Sequence, residues 1–198
     1  MTSLEERQEH RRRAMLDAGV DLLGSGDRSA LSVRTVCRST GITERYFYEA
    51  FGTRDAFARA VFDDVTDRAR EALVGAVRET TDATDPAEIA AAAVAAFVEL
   101  VIDNPRAGRV LLLAPYREAA LSERGLSRLP DFFAVVAAAL PGDVGENTRR
   151  LVAVGLVGAL TAIFTEYLSG RLDVARAELV AHCVRLVATA PVRFSDAE

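Results

Sequence analysis

Apolar residues recur along this chain at spacings of three and four, and no stretch shows the alternation of period two that marks a strand. The sharpest local pattern lies between Ser32 and Phe57. Ser32 is a good N-cap for a short helix whose positions Val33, Val36 and Cys37 bury one side. Thr40-Gly41 supplies a turn, because glycine enters the left-handed region without a side-chain penalty. Ile42 is placed to plug between two helices, and Thr43 to cap the second. That second helix, from Glu44 to about Glu49, sets Phe47 and Tyr48 against its neighbours and leaves Thr43, Glu44, Arg45 and Tyr46 outward. Phe51, a turn through Gly52, the cap Thr53, a new helix from Arg54 and the anchor Phe57 close the module. Two short helices joined by a tight turn are the outline of a helix-turn-helix, whose second helix presents side chains to base edges and phosphates. Helical hairpins that never meet DNA share this outline, and in one of those Tyr46 and Tyr48 would be packing residues.

The remaining pattern is helical throughout. Helices are expected over about 53–80, 86–102, 106–114, 118–140 with a break near Gly125, 146–168 and 173–190. Polar residues 81–86 form a linker, Asp103-Asn104-Pro105 stops one helix and starts the next, Pro115 ends the short helix, and 141–145 is a turn. The fold class is therefore all-α with about nine helices, divided into a domain over 1–54 and a larger one over 55–198. Two apolar runs, 89–102 and 151–164, span 14 residues each. Both fall short of the roughly 20 needed to cross a bilayer, so no membrane is expected.

Composition narrows the function. The 198 residues are 50% hydrophobic with a net charge of −5, enough for a sizeable core and too acidic for a protein that coats nucleic acid by bulk charge. Charge is instead local: Arg28, Arg34, Arg38, Arg45 and Arg54 face only Glu44 and Glu49 in the same stretch. Arg11, Arg12 and Arg13 form a second basic cluster at the expected start of the first helix, with Glu5, Glu6 and Glu9 upstream. The chain contains no lysine, so every cationic side chain outside the two histidines is arginine. Cys37 and Cys183 are expected on buried faces of distant helices as reduced thiols, and His10 and His182 give a metal site almost nothing to build on. The highly charged N-terminus lacks the apolar stretch of an export signal, and a cytoplasmic location is expected. No nucleophile elbow, Gly-rich phosphate loop or His beside a nucleophile is present, and Ser122 with Glu123 lacks a base, so neither an enzyme nor a cofactor is expected.

The residues Ala14 to Leu23, Val33-Val36-Cys37, Thr40-Gly41-Ile42-Thr43, Phe47-Tyr48, Phe51, Thr53-Arg54-Asp55 and Phe57 resemble the N-terminal domain of the TetR/AcrR family of bacterial transcriptional regulators. The resemblance covers about the first 60 residues. It implies that Thr43 caps the recognition helix and meets a phosphate, that Glu44, Arg45 and Tyr46 face the groove, and that Tyr48 bonds a phosphate through its hydroxyl. Ser32 and Arg34 join the implied DNA-facing set. Arg54 stands where the family usually has Lys, keeping a cation with different geometry. Arg45 and Tyr46 replace the common Gly and Thr, so the recognition helix is bulkier and commoner members give no guide to its operator.

The same resemblance implies a homodimer, a palindromic double-stranded operator and a small effector. Leu151, Gly155, Gly158, Ala159 and Ala162 put small residues along one side of the 146–168 helix, and Leu179, Cys183, Leu186 and Val187 give its partner an apolar stripe. In the family such a pair meets its copy in a four-helix bundle; packing within one chain would use the same residues. The implied effector cavity has Phe97, Val101, Leu112, Tyr116, Phe132, Phe133, Val136 and Phe164 as walls, with Tyr116, Thr161, Thr165 and Glu166 as polar handles. That lining suits a hydrophobic molecule, with Arg109 and Arg117 the nearest cations. Aromatic stripes of this kind are more often plain core. The implied function is a repressor released from its operator by such a molecule; the alternative is a degenerate regulator serving as a protein-interaction adaptor.

Overall fold

The computed structural model describes residues 4–27, 29–80, 85–140 and 144–190, with Leu4 and Pro86 by their backbones alone. Ten helices and no strand occur among the described residues: α1 (Leu4–Leu23), α2 (Val33–Thr40), α3 (Glu44–Phe51), α4 (Arg54–Glu79), α5 (Pro86–Val101), α6 (Pro105–Leu112), α7 (Ala114–Arg117), α8 (Ala119–Ala139), α9 (Glu146–Leu168) and α10 (Arg176–Thr189). The all-α class is as expected. The tenth helix is α7, which the sequence pattern had merged into a stop at Pro115.

Several boundaries move for identifiable reasons. Pro115 is the second residue of α7, where its missing N–H costs nothing because first-turn N–H groups have no partner within the helix. α8 runs unbroken through Gly125 and Pro130. Gly125 is small because a Cβ there would lie 2.8 Å from Pro115 Cβ, a close approach rather than a break. α1 begins at Leu4, so Arg11, Arg12 and Arg13 sit in mid-helix and not at its start. The expected linker at 81–86 and turn at 141–145 lie largely outside the described residues.

The chain divides into two compact units. Unit 1 comprises Met1–Asp67 with Asn104–Leu126, and unit 2 Arg68–Asp103 with Ser127–Glu198. This differs from the expected division at residue 54. Within unit 1, α6 packs on α1 and two ion pairs tie α4 to later residues: Arg54 to Glu118 at 2.8 Å, and Arg124 Nε to Asp63 at 2.8 Å. Met15, Val36, Phe47, Phe57, Val61, Phe62 and Leu121 of this unit are almost completely buried. Thr66 is buried among them and satisfies its hydroxyl by donating to the Phe62 carbonyl at 2.8 Å.

In unit 2, α10 packs on α5 and α9. Val94, Val98, Val101, Phe164, Leu179 and Cys183 are among its most deeply buried apolar residues. α5 is capped by Asp85, whose carboxylate accepts the Ala87 N–H at 2.8 Å. α10 has no side-chain cap, but its first residue, Arg176, donates through Nε to Asp103 at 2.7 Å.

Candidate nucleic-acid interface

α2 and α3 are built as their local sequence dictates. The Ser32 hydroxyl accepts the Thr35 N–H at 3.1 Å, and the Thr43 hydroxyl accepts the Tyr46 N–H at 3.4 Å. Gly41 ends α2 at φ 68°, and Gly52 ends α3 at φ 74° with its N–H donating to the Tyr48 carbonyl at 3.0 Å. Beneath α3 lies a cluster of phenylalanines: ring centroids are 5.5 Å apart for Phe47 and Phe51, 5.0 Å for Phe47 and Phe57, and 4.8 Å for Phe51 and Phe57. Tilted and edge-to-face aromatic packing of this kind anchors the helix on unit 1.

The opposite side of α3 is open. Thr43, Glu44, Arg45, Tyr48 and Glu49 are exposed, as are Arg34 and Arg38 on α2, while Ser32 is half-buried. Tyr48 touches Phe47 edge-on but keeps about half its surface (51%) in solvent, so it is not a core residue. Arg45 pairs with Glu49 one turn later at 2.8 Å, which raises its pKa further above an already high value through that hydrogen bond. Cys37 is half-buried and not fully buried as expected; desolvation, and then the nearby Glu44 carboxylate, push its thiol pKa up.

Two expected DNA-facing residues are engaged within the unit. Arg54 donates to Glu118 at 2.8 Å, to Asp55 at 3.2 Å and to the Leu31 carbonyl at 3.2 Å, and the Glu118 bond is the main reason its pKa is raised. It is therefore neutralised where a free cation was expected. Tyr46 is half-buried, and its hydroxyl donates to the Gln8 carbonyl at 2.7 Å. The three consecutive arginines of α1 also separate. Arg13 pairs with Asp64 at 2.6 Å and Asp17 at 2.8 Å, whereas Arg11 and Arg12 lie over the Tyr46 and Phe51 rings at 4.7 and 4.8 Å. No sequence signal singled out that stacking, because each pairing joins residues far apart in the chain.

No protein-family model matches the sequence, and no curated protein matches it. Solved structures do. A TetR-like transcriptional regulator from Rhodococcus sp. RHA1 is 22% identical with a TM-score of 0.66, over 95% of this chain and 97% of that one. A protein of Pseudomonas aeruginosa PAO1 assigned as a transcriptional regulator is 21% identical, with a TM-score of 0.72 and 94% of each chain covered. The fatty acid degradation regulator of Bacillus halodurans is 15% identical, with a TM-score of 0.71 over 89% of this chain and 93% of that one. The chain has a TetR-like fold. At these identities the likeness concerns the fold, and it extends well beyond the 60 residues that carried the sequence resemblance.

Within this TetR-like fold the expected effector-cavity residues fall in both units. Leu112 and Tyr116 belong to unit 1, and Tyr116 is 76% exposed, which removes it as an inward polar handle. Phe97, Val101, Phe132, Phe133, Val136, Thr161, Phe164, Thr165 and Glu166 belong to unit 2. Phe97 and Phe164 are in ring contact at 5.3 Å, filling space that opposing cavity walls would have left open. Glu166 pairs at the surface with Arg171 at 2.7 Å. Thr165 Oγ1 is buried and has no hydrogen-bond partner. A small, partly open pocket of about 10 Å³ lies in unit 1 beside Leu23, Leu31, Arg109 and Glu118.

The expected contact residues of α9 are on the surface: Leu151, Gly155, Gly158 and Ala162 are exposed and Ala159 is half-buried. Those of α10 are not equivalent. Leu179 and Cys183 are buried inside unit 2, and only Leu186 and Val187 are partly open. The apolar stripe of α10 is used within the chain, as the alternative reading of its pattern allowed. α9 as a whole is 23 residues, the one helix among those described that is long and apolar enough to cross a membrane by length and composition.

Proposed function

We propose that this chain is a sequence-specific DNA-binding regulator of transcription that acts as a two-fold dimer. The observation that carries the reading is the exposed row Thr43, Glu44, Arg45 and Tyr48, mounted on an aromatic base in a TetR-like fold. A helix so mounted can enter a major groove, where Arg45 reaches a guanine edge or a phosphate and Glu44 accepts from cytosine N4. Thr43, Ser32, Tyr48 and Arg34 supply backbone contacts.

Dimerisation is supported by α9. Val152, Ala153, Leu156, Val157 and Phe164 are buried inside the unit, while Leu151, Val154, Gly155, Gly158 and Ala162 form an apolar row on the other side. A Cβ at Gly155 or Gly158 would meet nothing within 4 Å, so a second helix can come close. A second copy accounts for that row better than lipid does, because glycines favour close helix contact and one side of α9 is already packed inside the unit. Two-fold pairing would set two α3 helices on successive major grooves of a palindromic operator.

On this reading the regulator is a repressor released by a small apolar molecule. Its site lies in the aromatic interior of unit 2, where the unpartnered Thr165 hydroxyl offers one polar handle. Binding that parts Phe97 from Phe164 would favour a conformation with weaker operator affinity.

The test is selection of bound duplexes from a random library, repeated at several salt concentrations. An enriched two-fold symmetric motif supports the reading. No enrichment together with negligible binding at low salt, where basic residues should give at least non-specific affinity, overturns it in favour of a protein-interaction role.

A further inference from the structure

The geometry points to the Tyr46 ring as a positioning residue that presents Arg11 of α1 to a DNA phosphate and does not read a base. The inference rests on the DNA-binding function proposed above.

Tyr46 is the one residue of the outward set on α3 that reaches back to another helix. Its hydroxyl donates to the Gln8 carbonyl, 38 residues away, and the Arg11 guanidinium sits 4.7 Å from its ring centroid. Gln8 and Arg11 are three apart and so share one side of α1. The phenol is therefore held at both its face and its hydroxyl. A tyrosine held in this way has no donor left for a base edge.

Arg11 differs from the arginines that serve structure. Arg13 and Arg54 are each bonded to a largely buried carboxylate, which cancels their charge locally. Arg11 is held by an aromatic face and by the Arg7 carbonyl, which accepts from its Nε at 3.2 Å. Neither partner carries a negative charge. Stacking engages the flat face of a guanidinium and leaves its edge N–H groups pointing outward, the arrangement that suits a phosphate oxygen. Arg12 over Phe51 repeats the device one residue on. The aromatic residues of α3 thus extend its basic surface onto α1, a helix that carries Glu5, Glu6 and Glu9 toward its start and would otherwise attract no phosphate.

The experiment measures affinity for a fluorescently labelled mixed-sequence duplex across a range of salt, and repeats the random-library selection for each variant. For Arg11→Ala the slope of log affinity against log salt is expected to fall by about 0.9, the signature of one lost phosphate contact, with the selected motif unchanged. Tyr46→Leu removes the ring and is expected to give the same fall with the same motif, and the double variant to fall no further than either. Tyr46→Phe keeps the ring and loses only the hydroxyl; it is expected to match the wild-type slope and motif. A shifted base preference in either Tyr46 variant, or an unchanged slope in Arg11→Ala, overturns the assignment. Wild-type protein that binds no duplex at low salt fails the underlying DNA reading before any variant is compared.

Discussion

A methyl added at Gly24 would lie 2.7 Å from the Val20 carbonyl oxygen and 2.9 Å from the Arg106 carbonyl carbon, and a main chain cannot swing aside as a side chain can. Gly41 is the opposite case: its Cβ would meet nothing within 4 Å, but its φ of 68° is unfavourable for any other residue. Alanine is therefore expected to cost about 2–3 kcal/mol at Gly24 and about 1 kcal/mol at Gly41, measured by urea unfolding. Thr165 should behave in the other sense. Its buried hydroxyl has no partner, so Thr165→Val is expected to stabilise the protein by about 1 kcal/mol in the same assay, as removing an unsatisfied polar group does. The turn at Gly41 was legible from local pattern alone. Such a pattern could not show the partners of Arg54 or Tyr46, which lie 64 and 38 residues away and depend on how helices dock.

Among the elements, α10 depends on an ion pair where a cap would normally stand. Ala175 offers no side-chain bond to the first turn, and Arg176 sits at the end of the helix where positive charge is unfavourable. Asp103, just beyond α5, offsets this, and the hydrogen bond from Arg176 lowers its pKa below the ordinary 3.8. A lowered carboxylate pKa contributes stability that is fully present above 3.8 and is lost as pH falls through the folded value. Asp103→Asn is therefore expected to be less stable than wild type near neutrality and to converge with it in acid, as thermal melts at stepped pH would record. α2 and α3 were legible because caps, turn glycines and aromatic anchors act within a few residues of one another. α6 to α8 were less so. Pro115 and Gly125 carry the usual signs of a stop, yet one opens a helix and the other makes room for it. The stripe on α10 was visible, but periodicity alone does not say which neighbour covers it; α5 does.

For the molecule as a whole, the proposed dimer would form on the open row of α9. Leu151 is 74% exposed in the single chain, and a two-fold interface would bury it twice. Leu151→Glu is expected to weaken self-association by at least about a hundredfold, from two lost leucine burials, while leaving the thermal melt of the protomer unchanged. Light scattering across a dilution series reads the first and circular dichroism the second. Palindromic DNA should then lose its advantage over a half-site. Gly155 and Gly158 have a further consequence. Since a Cβ at either position would meet nothing else in its own protomer, both can take a small side chain without a clash in the fold. A cell that held several chains of this architecture could keep them from forming mixed pairs through changes at these two sites, so the kinship of a subunit with its own copy, and the insulation of one regulatory circuit from the next, would be set there.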